Sequence, residues 1–270
     1  MSPLPVGLVD AALMRLGIAA PPAADLAGLS VLYGAWCQQV PFDNVLKLLH
    51  LAEGWPGRLP GSDPVDFFRL WLEYGTGGTC WAGNGALFEL VTALGFHAER
   101  GVATMLATPD TPGPNHGTVV VTLPEGRFVV DASILSSAPI ALDAPPAEGP
   151  LPRRIDHGGT PAILWRSPAA PEGFPCRIER IGVDAAEWDD RHQGTAAWSP
   201  FNFAVRARVN RGADIVGWND GTRYTFRGGA DLVTEAGGRD LRHRALVDLG
   251  IDGDLAARLP DDVPTPPRRP

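Results

Sequence analysis

The first ninety-odd residues repeat apolar side chains at helical spacing. Val9, Leu13 and Leu16 fall four and three apart, and Gly17 stops the pattern. After the Pro21-Pro22 break, Leu26, Leu29, Leu32, Tyr33 and Trp36 predict a second helix. Val40-Pro41-Phe42 ends it, because proline lacks an amide hydrogen and disfavours helix in the residue before it. A third helix is expected over 64–74, with Pro64 suited to the first turn. A fourth follows Cys80, where Leu87, Leu90, Val91 and Leu94 form one stripe closed by Gly95. The pattern then changes to strands, over 100–105, 118–123 and 127–131. The last two flank Pro124-Glu125-Gly126 as a hairpin. The stretch 139–175, rich in Pro, Ala and Gly, reads as loop with short strands. Strands are expected over 203–209, 215–218 and 224–226, with Asn219-Asp220-Gly221 as a turn, and a last helix over about 240–249. The tail 264–270, with four prolines and two arginines, reads as disordered. Helices first, strands next and a mixed end predict an α+β fold rather than an alternating parallel sheet.

Composition narrows the class. With 44% hydrophobic residues the chain can bury a core, which excludes disorder over most of its length. Its formal charge of -8, without a basic run, argues against nucleic acid and anionic membranes as partners. No apolar stretch approaches the ~20 residues needed to cross a bilayer. The N-terminus does not read as a signal peptide. Cys37, Cys80 and Cys176 make no disulfide framework, so a reducing cytoplasm is expected. No cluster has zinc-ligand spacing, and no metal is expected.

Gly77-Gly78-Thr79-Cys80-Trp81 places a cysteine at a helix start. Unpaired amide hydrogens and the helix dipole there favour a thiolate, the nucleophilic form of the side chain. Position alone leaves a small buried hydrophobe equally open. A cysteine nucleophile needs a base. Of six histidines, His116 enters a strand whose hairpin partner ends in Asp131, which could orient the ring. A turn at Glu125-Gly126 puts Asp131 opposite Val120, four residues from His116, or ~13 Å at ~3.3 Å per residue. The hairpin alone therefore does not assemble Cys80, His116 and Asp131. Trp81, beside the cysteine, is the tryptophan placed to meet a ligand.

Several ordered motifs resemble the arylamine N-acetyltransferase family. These are Leu13-Met14-Arg15-Leu16-Gly17-Ile18, Val40-Pro41-Phe42-Asp43-Asn44-Val45, Gly77-Gly78-Thr79-Cys80-Trp81 with Asn84, Asn115-His116, Val130-Asp131, Ser199-Pro200-Phe201-Asn202-Phe203 and Leu249-Gly250-Ile251. The resemblance implies a helical bundle with a cysteine-protease-like core carrying Cys80 (1–96), a β-barrel carrying His116 and Asp131 (97–198) and a C-terminal α/β lid (199–270). It implies ping-pong acyl transfer. Cys80 attacks a thioester, typically acetyl-CoA, and the acyl-enzyme passes its group to an amine. His116 moves protons and Asp131 orients it. The thioester is then a co-substrate, with no tightly bound cofactor. Phe42, Trp81 and Ile134 are implied pocket walls. The chain differs from the usual motifs at Thr76 (Arg in the family), Thr79 (an aromatic), Ala82 (Glu or Gln), Asp43 (Glu) and Ala132-Ser133-Ile134. These changes alter the walls around the cysteine. An amide synthase using acyl-carrier thioesters is the nearest alternative, followed by a cysteine hydrolase and by a binding protein without turnover.

Overall fold

A computed structural model describes residues 3–108, 111 and 113–266. Its first layer is helical: α1 (Val6–Arg15), α2 (Leu26–Gln39), the short strand β1 (Phe42–Asp43), α3 (Val45–Glu53), α4 (Pro64–Tyr74) and α5 (Cys80–Ala93). The side chains before α2 and α4 act as caps. Asp25 accepts from the Gly28 amide at 2.8 Å, and Asp63 from the Val65 amide at 2.8 Å. Gly75, at φ 69°, ends α4 in the left-handed region where a Cβ would be strained. Trp36 stacks on Phe67 and meets Phe68 edge-on, so α2 and α4 share a buried aromatic core.

Seven antiparallel strands form a nearly closed sheet in the order β5-β4-β3-β2-β8-β7-β6. They are β2 (His97–Met105), β3 (His116–Leu123), β4 (Gly126–Val130), β5 (Ile140–Ala141), β6 (Arg153–His157), β7 (Thr160–Ser167) and β8 (Ala170–Ile181). Helix α6 (Ala185–Trp198) and a single 3-10 turn at Pro200–Asn202 lead to a second sheet. That sheet contains β9 (Arg206–Arg211), β10 (Asp214–Asn219), β11 (Thr222–Arg227) and β12 (Asp231–Ala236) in the order β1-β9-β10-β11-β12. Helices α7 (Arg239–Asp248) and α8 (Gly253–Arg258) follow. The architecture is α+β, as the segregation of patterns predicts. Among the described residues no helix is long and apolar enough to cross a membrane.

Several elements depart from the sequence reading. The chain resumes helix as α3 just after the expected stop at Pro41. Val45, Leu46 and Leu49 bury against Val205, Ala207, Trp218 and Leu246, so this N-terminal helix belongs to the core of the second sheet. The stretch 139–175 holds β5, β6, β7 and the first half of β8. Gly158 and Gly159, both at positive φ, make the tight β6–β7 turn that gives a glycine-rich sequence its strands. Helix α6 has no apolar stripe to read, because its buried residues are Trp188, His192 and Thr195. Its legible signal is the Asp184 cap, which accepts from the Glu187 amide at 2.8 Å. Strand β12 and helix α8 add to the elements that the sequence pattern predicts. The expectation for the tail lies partly outside the described residues, which stop at 266.

The hairpin register differs by two. Leu123 pairs with Gly126 and Val119 with Val130, so the turn is Pro124-Glu125. Continuing that ladder by one residue puts Asp131 level with Thr118. It is then two residues from His116 and on the same face, a diagonal neighbour within reach of two side chains. The gap left by the sequence reading closes without a bulge.

Candidate active site

Cys80 opens α5, and its N-cap residue Thr79 makes no side-chain cap. The first-turn amide hydrogens are thus not taken up by a capping side chain. Two glycines let this turn sit deep in the core. A Cβ on Gly77 would run into the Pro41 carbonyl oxygen, and one on Gly78 would stand 2.8 Å from the Ala82 side chain and 3.2 Å from Phe67. Neither needs positive φ, so close approach is the requirement here, while Gly75 makes the sharp turn. Asp43 anchors the same loop. Its Oδ2 accepts from the Gly77 amide at 2.6 Å, and its Oδ1 from the Val45 amide at 3.0 Å. Burial pushes this carboxyl up to about 6, against the two amides that favour its charge. Asp43 therefore holds the loop through the backbone and needs no arginine at position 76.

His116 begins β3 and Asp131 follows β4. The His116 Nε2 lies 2.8 Å from Asp131 Oδ2, and the ring is also hydrogen-bonded to the Cys80 side chain. All three are buried, with 6% of Cys80 exposed. The sequence-predicted trio is thus assembled in space. Burial works against the charged ring of His116, but Asp131 and Cys80 together outweigh it and carry the imidazole up to about 10. Burial likewise opposes charge on Asp131, yet the charge and hydrogen bond of His116, with the Ser133 amide, pull it down to about 2. Each partner thus favours the charged form of the other.

Two residues that the sequence reading gave no role hold Asp131 still. Asn84, fully buried in α5, accepts from the Ala132 amide at 2.8 Å and donates to the Gly117 carbonyl at 2.7 Å and to Asp131 Oδ1 at 3.3 Å. It braces the cysteine helix against both strands. The Tyr33 hydroxyl donates to the Asp131 carbonyl at 2.9 Å and accepts from the Asp131 and Ser136 amides at 3.0 and 3.1 Å. Asp131 Oδ1 also accepts from the amides of Ser133 and Ile134 at 2.8 and 3.0 Å. A tyrosine on a helical stripe gives no sequence signal for such a contact, since its partners lie about a hundred residues away.

Cys80 and His116 open into a cavity of about 740 Å³. Phe42 and Trp81 line it. Ile134 does not: its side chain packs with Val120, Val129 and Ile163 in the core, and only its backbone serves the site. Lys47 and Arg208 line the cavity as well, and the sequence reading singled out neither. A lone lysine inside the run Val45-Leu46-Lys47-Leu48-Leu49 was the available signal for Lys47.

A helical layer and a nearly closed antiparallel sheet thus meet at a buried cysteine, histidine and aspartate. Residues 25–149 match the family model described as N-acetyltransferase. The arylamine N-acetyltransferase of Mycolicibacterium smegmatis is 30% identical over 147 residues, which is 50% of this chain and 50% of that one. The chain thus spans about half the length of that curated relative. Solved structures agree over nearly the whole length. An N-arylamine acetyltransferase of Mycobacterium smegmatis superposes with a TM-score of 0.76 at 20% identity, covering 93% of this chain and 97% of that one. The enzyme of Salmonella typhimurium gives 0.74 at 16%, covering 92% of each. That of Mycobacterium marinum in complex with CoA gives 0.69 at 20%, covering 93% and 98%. The resemblance of this chain to the arylamine N-acetyltransferase family therefore holds in sequence over its N-terminal half and in fold over nearly its full length.

Proposed function

We propose that the chain is an acyltransferase that moves an acyl group from a coenzyme A thioester, through a Cys80 acyl-enzyme, to an amine. The observation that carries this reading is the Cys80 side chain bonded to a buried His116–Asp131 pair at the head of a large, aromatic-walled cavity. Such an arrangement matches the general scheme of nucleophile, base and orienter. The Asp131 carboxylate on Nε2 leaves Nδ1 for the sulfur. Loss of the thiol proton to Nδ1 frees the sulfur to attack the thioester carbonyl. The new S–C bond forms as the bond to coenzyme A breaks, and the departing thiolate takes the proton from Nδ1. In the second half the amine attacks the acyl carbonyl, gives its proton to Nδ1, and the Cys80 sulfur leaves.

A coenzyme A donor is favoured over a carrier-protein thioester because a structural relative is described with CoA bound. We keep the division into bundle (1–96), barrel (97–198) and lid (199–270), and a cytoplasmic setting, which fits three buried, unpaired cysteines. The test is the intact mass of the chain after exposure to acetyl-CoA. One acetyl group is expected on Cys80, stable until an aromatic amine is added, and none on the Cys80→Ser variant under the same conditions. No mass gain on the native protein removes the proposal. Rapid loss of the group without amine replaces it with a hydrolase.

A further inference from the structure

The cavity beside Cys80 holds two buried cations that no carboxylate answers. Lys47, in the first turn of α3, is 5% exposed. Its ammonium donates to Thr195 Oγ1 at 2.9 Å and to the Thr195 carbonyl at 3.3 Å, both neutral oxygens. That uses two of its three donors, and no acidic residue among those described forms an ion pair with it. Burial drives it down to about 8, and the Cys80 charge is the one influence that works the other way. Arg208, on β9, is 6% exposed. It donates to the Ile134 carbonyl, is hydrogen-bonded to the Tyr224 side chain, lies 5.0 Å above the Trp165 ring and leaves its Nε without a partner. The other charges on the cavity wall are already matched. Arg206 binds Asp220 through two bonds of 3.0 and 2.8 Å, and His116 holds Asp131. In a chain of net charge -8, two uncompensated cations in the reaction chamber are a local arrangement. Buried charges without a counter-ion are costly to keep, which makes them informative where a ligand can supply that counter-ion.

We infer that Lys47 and Arg208 form a carboxylate subsite for an acyl chain with an acid at its far end, so that the preferred donor is a dicarboxylic acyl thioester of the malonyl or succinyl type. The inference rests on the acyl-transfer reading above and names its substrate class. Coenzyme A's phosphates sit at the end of its pantetheine arm away from the sulfur, so they do not meet a cation coupled to the nucleophile. An acyl group bound to that sulfur does. Loading is the same exchange as before: the Cys80 S–C bond forms, the coenzyme A C–S bond breaks, and the proton on His116 leaves with the coenzyme A sulfur. The terminal carboxylate takes no part beyond replacing the missing counter-charge.

Two measurements test this. In the first, native protein and Lys47→Met are given equal acetyl-CoA and succinyl-CoA, and the adducts on Cys80 are weighed by intact mass. Succinyl loading is expected to exceed acetyl loading about tenfold or more in the native chain, the scale of a buried charge-assisted contact. The ratio of succinyl to acetyl loading should fall to parity or below in the variant, whatever its absolute rate of loading. Acetyl loading without succinyl preference overturns the inference and leaves the acyl-transfer reading standing, as does a carboxylate preference confined to the amine acceptor. The second needs no acyl transfer. Iodoacetate and its neutral counterpart iodoacetamide are compared as alkylators of Cys80, and the ratio of their rates cancels any change in the sulfur itself. That ratio is expected to drop about tenfold in Lys47→Met. An unchanged ratio overturns the subsite even if no thioester loads. Arg208→Gln takes the place of Lys47→Met in both measurements if that variant does not fold.

Discussion

Asp131→Asn isolates what the carboxylate does for His116. The substitution keeps an oxygen in position to accept from the Ser133 and Ile134 amides, now 2.8 and 3.0 Å away. What changes is the atom facing His116 Nε2, 2.8 Å away, which becomes an amide donor. A ring that accepts there must carry its proton on Nδ1, toward the sulfur, and can no longer take the thiol proton. The native environment lifts His116 from 6.5 to about 10, an advantage for the imidazolium of order 5 kcal/mol. Without the carboxylate, burial works against the charged ring and Cys80 alone favours it, so the imidazolium loses its larger support. Acyl loading of Cys80 is then expected to fall about a hundredfold or more at pH 7, the scale of a lost proton-transfer partner. The assay is quenched-flow mass measurement of the acyl-enzyme, with urea unfolding of the same protein alongside. On the stability side, Asp131 is depressed from 3.8 to about 2, so its carboxylate stabilises the fold above pH ~4 and that contribution is lost as pH falls through about 2. The swing is of order 2–3 kcal/mol, and the variant's stability should be flatter over that range. Loading within threefold of native in a folded variant would refute the reasoning.

Two further expectations concern the supports. Tyr33→Phe removes one hydroxyl that serves the Asp131 carbonyl, the Asp131 amide and the Ser136 amide, and should destabilise the chain by about 1–3 kcal/mol in urea unfolding; an unchanged midpoint would show that the hydroxyl is replaceable there. Asp43 is raised from 3.8 to about 6, so the folded state loses stability as pH rises from ~4 to ~6; Asp43→Asn should remove that slope in pH-dependent melting, and a slope retained in the variant would assign it to other groups.

Helix α4 was legible to the residue from Pro64 in its first turn, and the structure adds the Asp63 cap and the left-handed Gly75 that fix its ends. Cys80, His116 and Asp131 could be named, but not joined, since one turn choice moves every partner in a hairpin by two. Helices α3 and α6 escaped for opposite reasons. Val45–Glu53 follows a proline stop so closely that its apolar residues read as the end of something else. Ala185–Trp198 buries so little that no stripe exists. Lys47 is the clearest omission. A charge in an apolar run reads locally as a break in the pattern, and its meaning appears only when α3 is seen to face the chamber wall opened by Cys80.

The two-residue strand β1 ties the nucleophile's loop to the second sheet. Phe42–Asp43 pairs with Arg208 and Ala207 on one edge, bridges to Gly78 on the other, and donates the Asp43 amide to the Gly78 carbonyl at 3.2 Å. The residues that hold the nucleophile's loop are therefore fastened to a strand encoded about 165 positions later. A ribosome that has made only the bundle and barrel has synthesised all three reactive side chains, yet the sulfur's seat is finished only when the last sheet zips onto that two-residue splice.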